Sequence, residues 1–162
     1  MDAGLTAPCE ELAQALQARG WMLATAESCT GGLIAAACTS LAGSSNWFER
    51  GFVTYSNEAK TELLGVDAQA IASHGAVSEI VARAMAFGAV RHSRAKVAVA
   101  VTGIAGPTGG SADKPVGTVW FGFSVDGRLS SERMLFDGDR AAIREATVRH
   151  ALARLLALME GA

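Results

Sequence analysis

Three cysteines, three histidines and a single tyrosine are all that the 162 residues offer of these types, and each scarcity removes a class of function. Cys9, Cys29 and Cys38 are odd in number and contain no Cys-x-x-Cys pair, so neither a disulfide framework nor a zinc box is expected. His74, His92 and His150 lie far apart with no His-x-x-x-His pattern, and no metal is expected. Lys and Arg total 14 against 16 Asp and Glu, a net charge of −2, with no basic run. Nucleic-acid binding needs clustered Lys and Arg to neutralise phosphates, so nucleic acid is not expected as a partner. Half the residues are hydrophobic, yet no stretch approaches the ~20 uninterrupted apolar residues of a membrane span. Met1–Leu5 lacks the basic start and apolar run of a secretory signal. The expectation is a cytoplasmic protein without metal, cofactor or membrane partner.

What the chain does have is glycine, 18 residues of it, and alternating apolar segments. No repeat or low-complexity linker divides residues 1–162, which are expected to form one domain burying ~70% of the extended-chain surface. A first helix carries Pro8 near its start and Leu12 and Leu16 on one face, and Gly20 stops it near Arg19. Trp21 to Ala26 and Arg50 to Tyr55 read as strands, with an Ala-rich helix from Leu33 to Thr39 between them. Ser56 and Ser78 are placed to cap helices running to about Leu64 and Ser93, with a short helical turn over Asp67 to Ser73. Val97 to Val101, a run of Val and Ala, suits a strand buried on both faces. After a long Gly/Pro loop from Thr102 to Pro115, Val116 to Val125 and Leu129 to Phe136 form a hairpin around Asp126-Gly127. Asp139 caps a last helix in which Val148, Leu152, Leu155 and Met159 keep a 3–4 spacing. Alternating strands and helices followed by a hairpin describe an α/β layered domain around a mixed sheet.

In such sheets function gathers where strand ends meet glycine-rich loops, and three places qualify. Glu27-Ser28-Cys29-Thr30-Gly31-Gly32 offers two nucleophiles, Ser28 or Cys29, beside backbone N–H groups that a glycine pair leaves open to a ligand. The same residues also suit plain helix capping and tight packing. Tyr55 and Lys60 flank the Ser56 cap. Lys60 serves as a base only if its pKa falls from ~10.4 toward neutrality; otherwise it is a solvated helix lysine paired with Glu58 or Glu62. Thr102, Gly103 and Gly106 open the long loop, whose amides suit an anion or a carbonyl oxygen if it is more than a surface turn. His74-Gly75 reads as turn chemistry. Arg140, Arg144, Arg149 and Arg154 read as a solvated helix face rather than a phosphate clamp, and Trp47-Phe48 as core rather than the lining of a pocket or interface.

The strings AESCTGG (Ala26 to Gly32), AGSSNWFERGFVTYSNEAK (Ala42 to Lys60), HGAVSE (His74 to Glu79), TGIAGPTGGS (Thr102 to Ser111) and KPVGTVWF (Lys114 to Phe121) closely resemble the CinA C-terminal domain family, above all its stand-alone members. The likeness runs from the first helix to the last, leaving out the first ten residues and the tail after Met159. It implies a three-layer α/β/α sandwich around a mixed sheet. It also implies hydrolysis of the carboxamide of nicotinamide mononucleotide to nicotinic acid mononucleotide and ammonia, without a metal, by a homodimer with Trp47, Phe48 or the hairpin in its interface. The nucleotide pyrophosphatase-like domain of larger members is absent from the sequence, so functions that depend on it are set aside.

The family's serine–lysine–tyrosine set falls on Ser28, Lys60 and Tyr55. On this likeness Ser28 is the nucleophile, Lys60 its base, and Tyr55 hydrogen-bonds within the pair and relays the proton to the leaving nitrogen. Backbone N–H groups at Thr30, Gly31 and Gly32, or in the Thr102–Gly106 loop, hold the oxyanion. Ser44, Ser45 and the glycine-rich loop are candidates for the substrate's phosphate. Cys29 stays the rival nucleophile, with Glu27 available as its acid. The contrasting readings are a non-catalytic nucleotide-binding or regulatory module and, on the family's naming around competence, action on DNA, which the acidic balance disfavours.

Overall fold

In the computed structural model, which describes residues 3–162, the third strand is the organising element. β3 (Val97–Gly103) reads Val-Ala-Val-Ala-Val, and successive side chains of a strand point to opposite faces. Val97, Val99 and Val101 therefore join one core, Ala98 and Ala100 the other. β1 (Leu23–Glu27) beside it repeats the division, with Leu23 on the valine side and Ala24 and Ala26 on the alanine side.

The valine side is covered by α1 (Thr6–Arg19), α2 (Leu33–Thr39) and α6 (Arg140–Glu160). There Leu12, Leu16, Ile34, Leu152 and Leu155 meet Phe121 and Phe123 of β4 (Thr118–Val125). The alanine side receives α3 (Asn57–Leu64), α4 (Ala68–His74) and α5 (Glu79–Arg91). Small side chains let α5 come down onto the sheet: a Cβ on Gly122 of β4 would stand 2.1 Å from the Ala82 carbonyl oxygen. Gly88 of α5 is pressed in the same way on α3, where a Cβ would stand 2.0 Å from the Leu64 carbonyl oxygen. Two helical layers on a sheet are the three-layer sandwich that the likeness implied.

The sheet runs β2-β1-β3-β4-β5, with β2 (Phe48–Val53), β1 and β3 parallel and β4 and β5 (Arg128–Leu135) joined antiparallel. Asp126 and Gly127 both take positive φ, 49° and 85°, as the two-residue hairpin requires. Two strands sit two residues from their expected starts, at Leu23 rather than Trp21 and at Phe48 rather than Arg50. Pairing decides this: Leu23 is opposite both Phe48 and Val97, and Glu27 opposite both Val53 and Val101, so the three parallel strands begin together. The long loop begins two residues late because Thr102 and Gly103 still pair with Trp120 and Val119. Trp47 is buried, as a core residue. Among the described residues no helix is long and apolar enough to cross a membrane.

From β1 the chain leaves through α2 on the valine side to β2, and from β2 it returns through α3, α4 and α5 on the alanine side to β3. The two connections leave the C-terminal ends of β1 and β2 toward opposite faces, and at that end of the parallel strands an open sheet leaves a crevice.

Candidate active site

The chain's exit from β1 is held by a buried carboxylate. Glu27 accepts hydrogen bonds from the Thr30 hydroxyl and from the N–H groups of Ile34 (2.8 Å) and Ala35 (2.9 Å), and so caps α2. Three donors satisfy this carboxylate where it is out of water. Ser28 N–H donates to the Val101 carbonyl at 3.1 Å, tying the next residue to β3. Arg144 of α6 reaches the outside of the turn, donating to the carbonyls of Cys29 (3.1 Å) and Thr30 (3.2 Å).

Opposite this turn stands Lys60. Ser56 caps α3 by accepting from Ala59 N–H, and the helix then carries Lys60 on its inner face, one turn before Leu64. Lys60 is 1% exposed, which overturns its reading as a solvated lysine paired with Glu58 or Glu62. Its Nζ lies 3.0 Å from Ser28 Oγ, 2.9 Å from the Thr54 carbonyl oxygen and 3.2 Å from that of Tyr55. Burial pushes its pKa below the ordinary lysine value. The Ser56 carbonyl oxygen stands further off at 3.5 Å, so Nζ donates among three backbone carbonyls and the Ser28 hydroxyl.

Ser28 and Lys60 lie on a cleft of about 250 Å³ at the C-terminal ends of the parallel strands. Beside them it takes Cys29 from the exit of β1, Tyr55 and Asn57 from the β2–α3 segment and Thr102, Gly103 and Ala105 from the exit of β3. Ala76 and Val77, between α4 and α5, form another wall, and Arg140 closes it from the start of α6. Larger hollows elsewhere, such as one of about 390 Å³ between α3 and α4, contain none of Ser28, Tyr55 or Lys60.

The structure thus brings Ser28, Lys60, Tyr55, Thr102 and Gly103 together. Gly106 joins through its carbonyl, which accepts from Arg140 Nη1 at 2.9 Å. Thr30, Gly31 and Gly32 sit behind Ser28 rather than in the cleft lining; the Thr30 hydroxyl is spent on Glu27, and Gly31 N–H donates to the Ser28 carbonyl at 3.1 Å. Ser44 and Ser45 are not brought to the cleft. They precede β2, whose first residue pairs with Leu23, the opposite end of β1 from Ser28, and five strand residues span about 16 Å.

Tyr55 is placed differently from expectation. Its backbone carbonyl, not its phenol, contacts Lys60. The ring is 63% exposed at the rim, and its hydroxyl accepts from Arg140 Nη2 at 3.4 Å. Of the arginines expected on a solvated face, Arg140 is exposed yet hydrogen-bonded to Gly106 and Tyr55, and Arg144 is half-buried against the turn after β1; Arg149 pairs with Glu145 and Arg154 with Glu132. Asn57, Ala76 and Val77 are the cleft residues that sequence reasoning missed; Ala105 lies within the Thr102–Gly106 loop it singled out, and Arg140 is one it set on the solvated face.

Cys29, the rival nucleophile, is buried, and its thiol pKa is pushed up to about 12, chiefly by that burial. Glu27, its suggested acid, is fully engaged in capping α2.

The model of the CinA C-terminal domain family matches residues 6–159. A protein of Enterobacter agglomerans named nicotinamide-nucleotide amidohydrolase PncC is 60% identical over 135 residues, 83% of this chain and 82% of that protein. A protein of the same name from Escherichia coli (strain K12) is 54% identical over 155 residues, 95% of this chain and 94% of that one. The crystal structure of the competence/damage inducible protein CihA from Agrobacterium tumefaciens superimposes with a TM-score of 0.93 at 48% identity, covering 98% of this chain and 97% of the other. The matched span reaches from α1 to the last turn of α6 and takes in every segment that lines the cleft. The chain belongs to the CinA C-terminal domain family.

Proposed function

We propose that this chain is an amidohydrolase that converts nicotinamide mononucleotide to nicotinic acid mononucleotide and ammonia through an acyl-enzyme on Ser28, in pyridine nucleotide salvage. The observation that carries the reading is the 3.0 Å approach of a buried, carbonyl-held lysine amine to a serine hydroxyl in a cleft. The names of the two amidohydrolase relatives supply the substrate.

Neutral Lys60 takes the proton of Ser28 Oγ as that oxygen bonds to the carboxamide carbon. The ammonium so formed then protonates the amide nitrogen, which leaves as ammonia. Water enters, gives a proton to Lys60 and attacks the ester carbon; Ser28 recovers its proton and the carboxylate is released. The oxyanion is assigned to the stretch of Gly103 and Ala105, which line the cleft, rather than to Gly31, whose N–H is engaged. Lys60 and Arg140 are the cations of the cleft lining. Lys60 is neutral in this scheme, so Arg140 is assigned the phosphate. Tyr55 shares Arg140 and closes the rim, a positioning role in place of proton relay. The reading includes a cytoplasmic homodimer without nucleic-acid partners, in keeping with the net charge of −2.

Ammonia release from the mononucleotide, the riboside and free nicotinamide tests it. The mononucleotide is expected to lead the riboside by at least about tenfold in kcat/KM, the worth of a charge-assisted phosphate contact, and Arg140→Met is expected to remove that lead. Binding of the mononucleotide without ammonia release would leave the non-catalytic module as the better account. Cys29→Ala is expected to keep turnover within about threefold of the parent chain, because a protonated buried thiol acts as a small apolar side chain. Loss of turnover in Cys29→Ala, with Ser28→Ala active, would transfer the nucleophile to Cys29.

A further inference from the structure

Two of the family-like strings, HGAVSE and KPVG, lie 40 residues apart in sequence and take no part in the proton transfers described above. In the fold they touch. Lys114 Nζ donates to the His74 carbonyl oxygen at 2.7 Å, at the C-terminus of α4, where a cation is favoured. The next residue, Gly75, has φ +79°, and a Cβ there would stand 2.9 Å from Lys114 Nζ. Absence of a side chain at Gly75 is what allows the ammonium to seat. One residue further, the Ala76 carbonyl accepts from Thr102 Oγ1 at 2.9 Å. The turn that follows α4 is thus pinned from two directions, by the exit of β3 and by the long β3–β4 loop. Between those pins and the Ser78 cap of α5 stand Ala76 and Val77, which with Ala105 give the cleft small apolar side chains opposite the Tyr55 rim.

We propose that Lys114 is a positioning residue which fixes the Ala76–Val77 wall, and that this wall selects a flat heteroaromatic acyl group by contact with the face of its ring. The inference rests on the amidase reading and adds to it the determinant of the acyl side. A ring lying against a fixed apolar wall presents its carboxamide edge-on to Ser28. A wall free to shift by an ångström loses that register without touching the serine–lysine pair.

The experiment compares the parent chain with Lys114→Met, Lys114→Arg, Gly75→Ala and the Gly75→Ala/Lys114→Met double variant. It reads steady-state ammonia release from the mononucleotide and the rate at which a small alkyl fluorophosphonate labels Ser28. Lys114→Met and Gly75→Ala are each expected to raise KM about tenfold while kcat changes less than about twofold. Lys114→Arg, which keeps a cation on the His74 carbonyl, restores most of the affinity. Gly75→Ala adds backbone strain at φ +79°, so the double variant is expected to be no worse than Gly75→Ala alone, because both changes break the same contact. Val77→Phe, which fills the space for the ring, raises KM by about 100-fold or more. Labelling of Ser28 is unchanged in the Lys114 and Gly75 variants. Unmoved KM in an active Lys114→Met chain overturns the inference, as does a parallel fall in kcat and labelling rate, the mark of general structural damage. A parent chain that releases no ammonia overturns the amidase reading and this inference together, so the two failures are distinguishable.

Discussion

Ser28→Ala is expected to release ammonia from nicotinamide mononucleotide at least about 10⁴-fold more slowly than the parent chain, since removing a serine nucleophile elsewhere costs up to about 10⁶ in turnover. The loss is expected with little structural consequence. Ser28 sits on the cleft, and what fixes it is its own N–H on Val101, the Glu27 carboxylate behind it and Arg144 on the carbonyls that follow. None of these contacts involves its hydroxyl. Ser28 is buried and its hydroxyl is hydrogen-bonded to Lys60, which keeps its carbonyl partners, so the variant should melt within about 4 °C of the parent and bind the substrate with similar affinity. Calorimetric titration with the mononucleotide separates lost chemistry from lost binding. A Ser28→Ala chain retaining a tenth or more of the parent rate would remove the acyl-enzyme from the mechanism.

The second large effect is at Lys60. Lys60→Met keeps a buried chain of similar length but no proton acceptor, and turnover is expected to fall by at least about 10³-fold, within the range for removing a general base that also activates the nucleophile. The pH dependence is the sharper measurement. Burial lowers the lysine pKa, and the reactive form is the neutral one, so kcat/KM should rise with pH toward that lowered value and level off above it. Stability carries the same signature. Between the lowered pKa of the folded chain and the ordinary lysine value, the unfolded chain binds a proton that the folded chain does not. The stability of the parent protein consequently increases with pH across that window. In Lys60→Met this contribution is gone, and the melting midpoint should be flatter over the same range. A parent rate that is level, or falls, as pH rises from neutrality toward the lysine range would mean that the amine is not the base.

Much of this was legible in the residues. The Val-Ala alternation of β3 announced a strand buried on two unlike faces, and Ser56, Ser78 and Asp139 cap the helices they were expected to cap. The less legible parts share a cause. Lys60 belongs to the inner row of α3 with Leu64, but a lysine in an apolar row reads as polar and hides the row. Arg140 and Arg144 likewise continue, at steps of four, the buried row of Val148 and Leu152, which brings their guanidinium groups to the loops at the strand ends even though Arg140 stays exposed. Ser44 and Ser45 erred in the opposite direction. They sit within a family-like string that ends at Lys60, and closeness in sequence suggested closeness in space. A parallel strand lies between them and the lysine, and it carries one end of the string to the far edge of the sheet. Placement along a sheet depends on which strands pair, and no local window contains that information.

The gap between Ser28 Oγ and Lys60 Nζ is calibrated from a distance. Lys60 rides on α3, whose last turn rests by its backbone on a position of α5 that has only hydrogen for a side chain. Adding one carbon at Gly88 would lift the helix carrying the amine while leaving the strand carrying the hydroxyl where it is. The ruler of the reaction is laid down between two helix backbones at a residue that lines no part of the cleft, so adaptation of this enzyme's speed is open to changes that never meet its substrate.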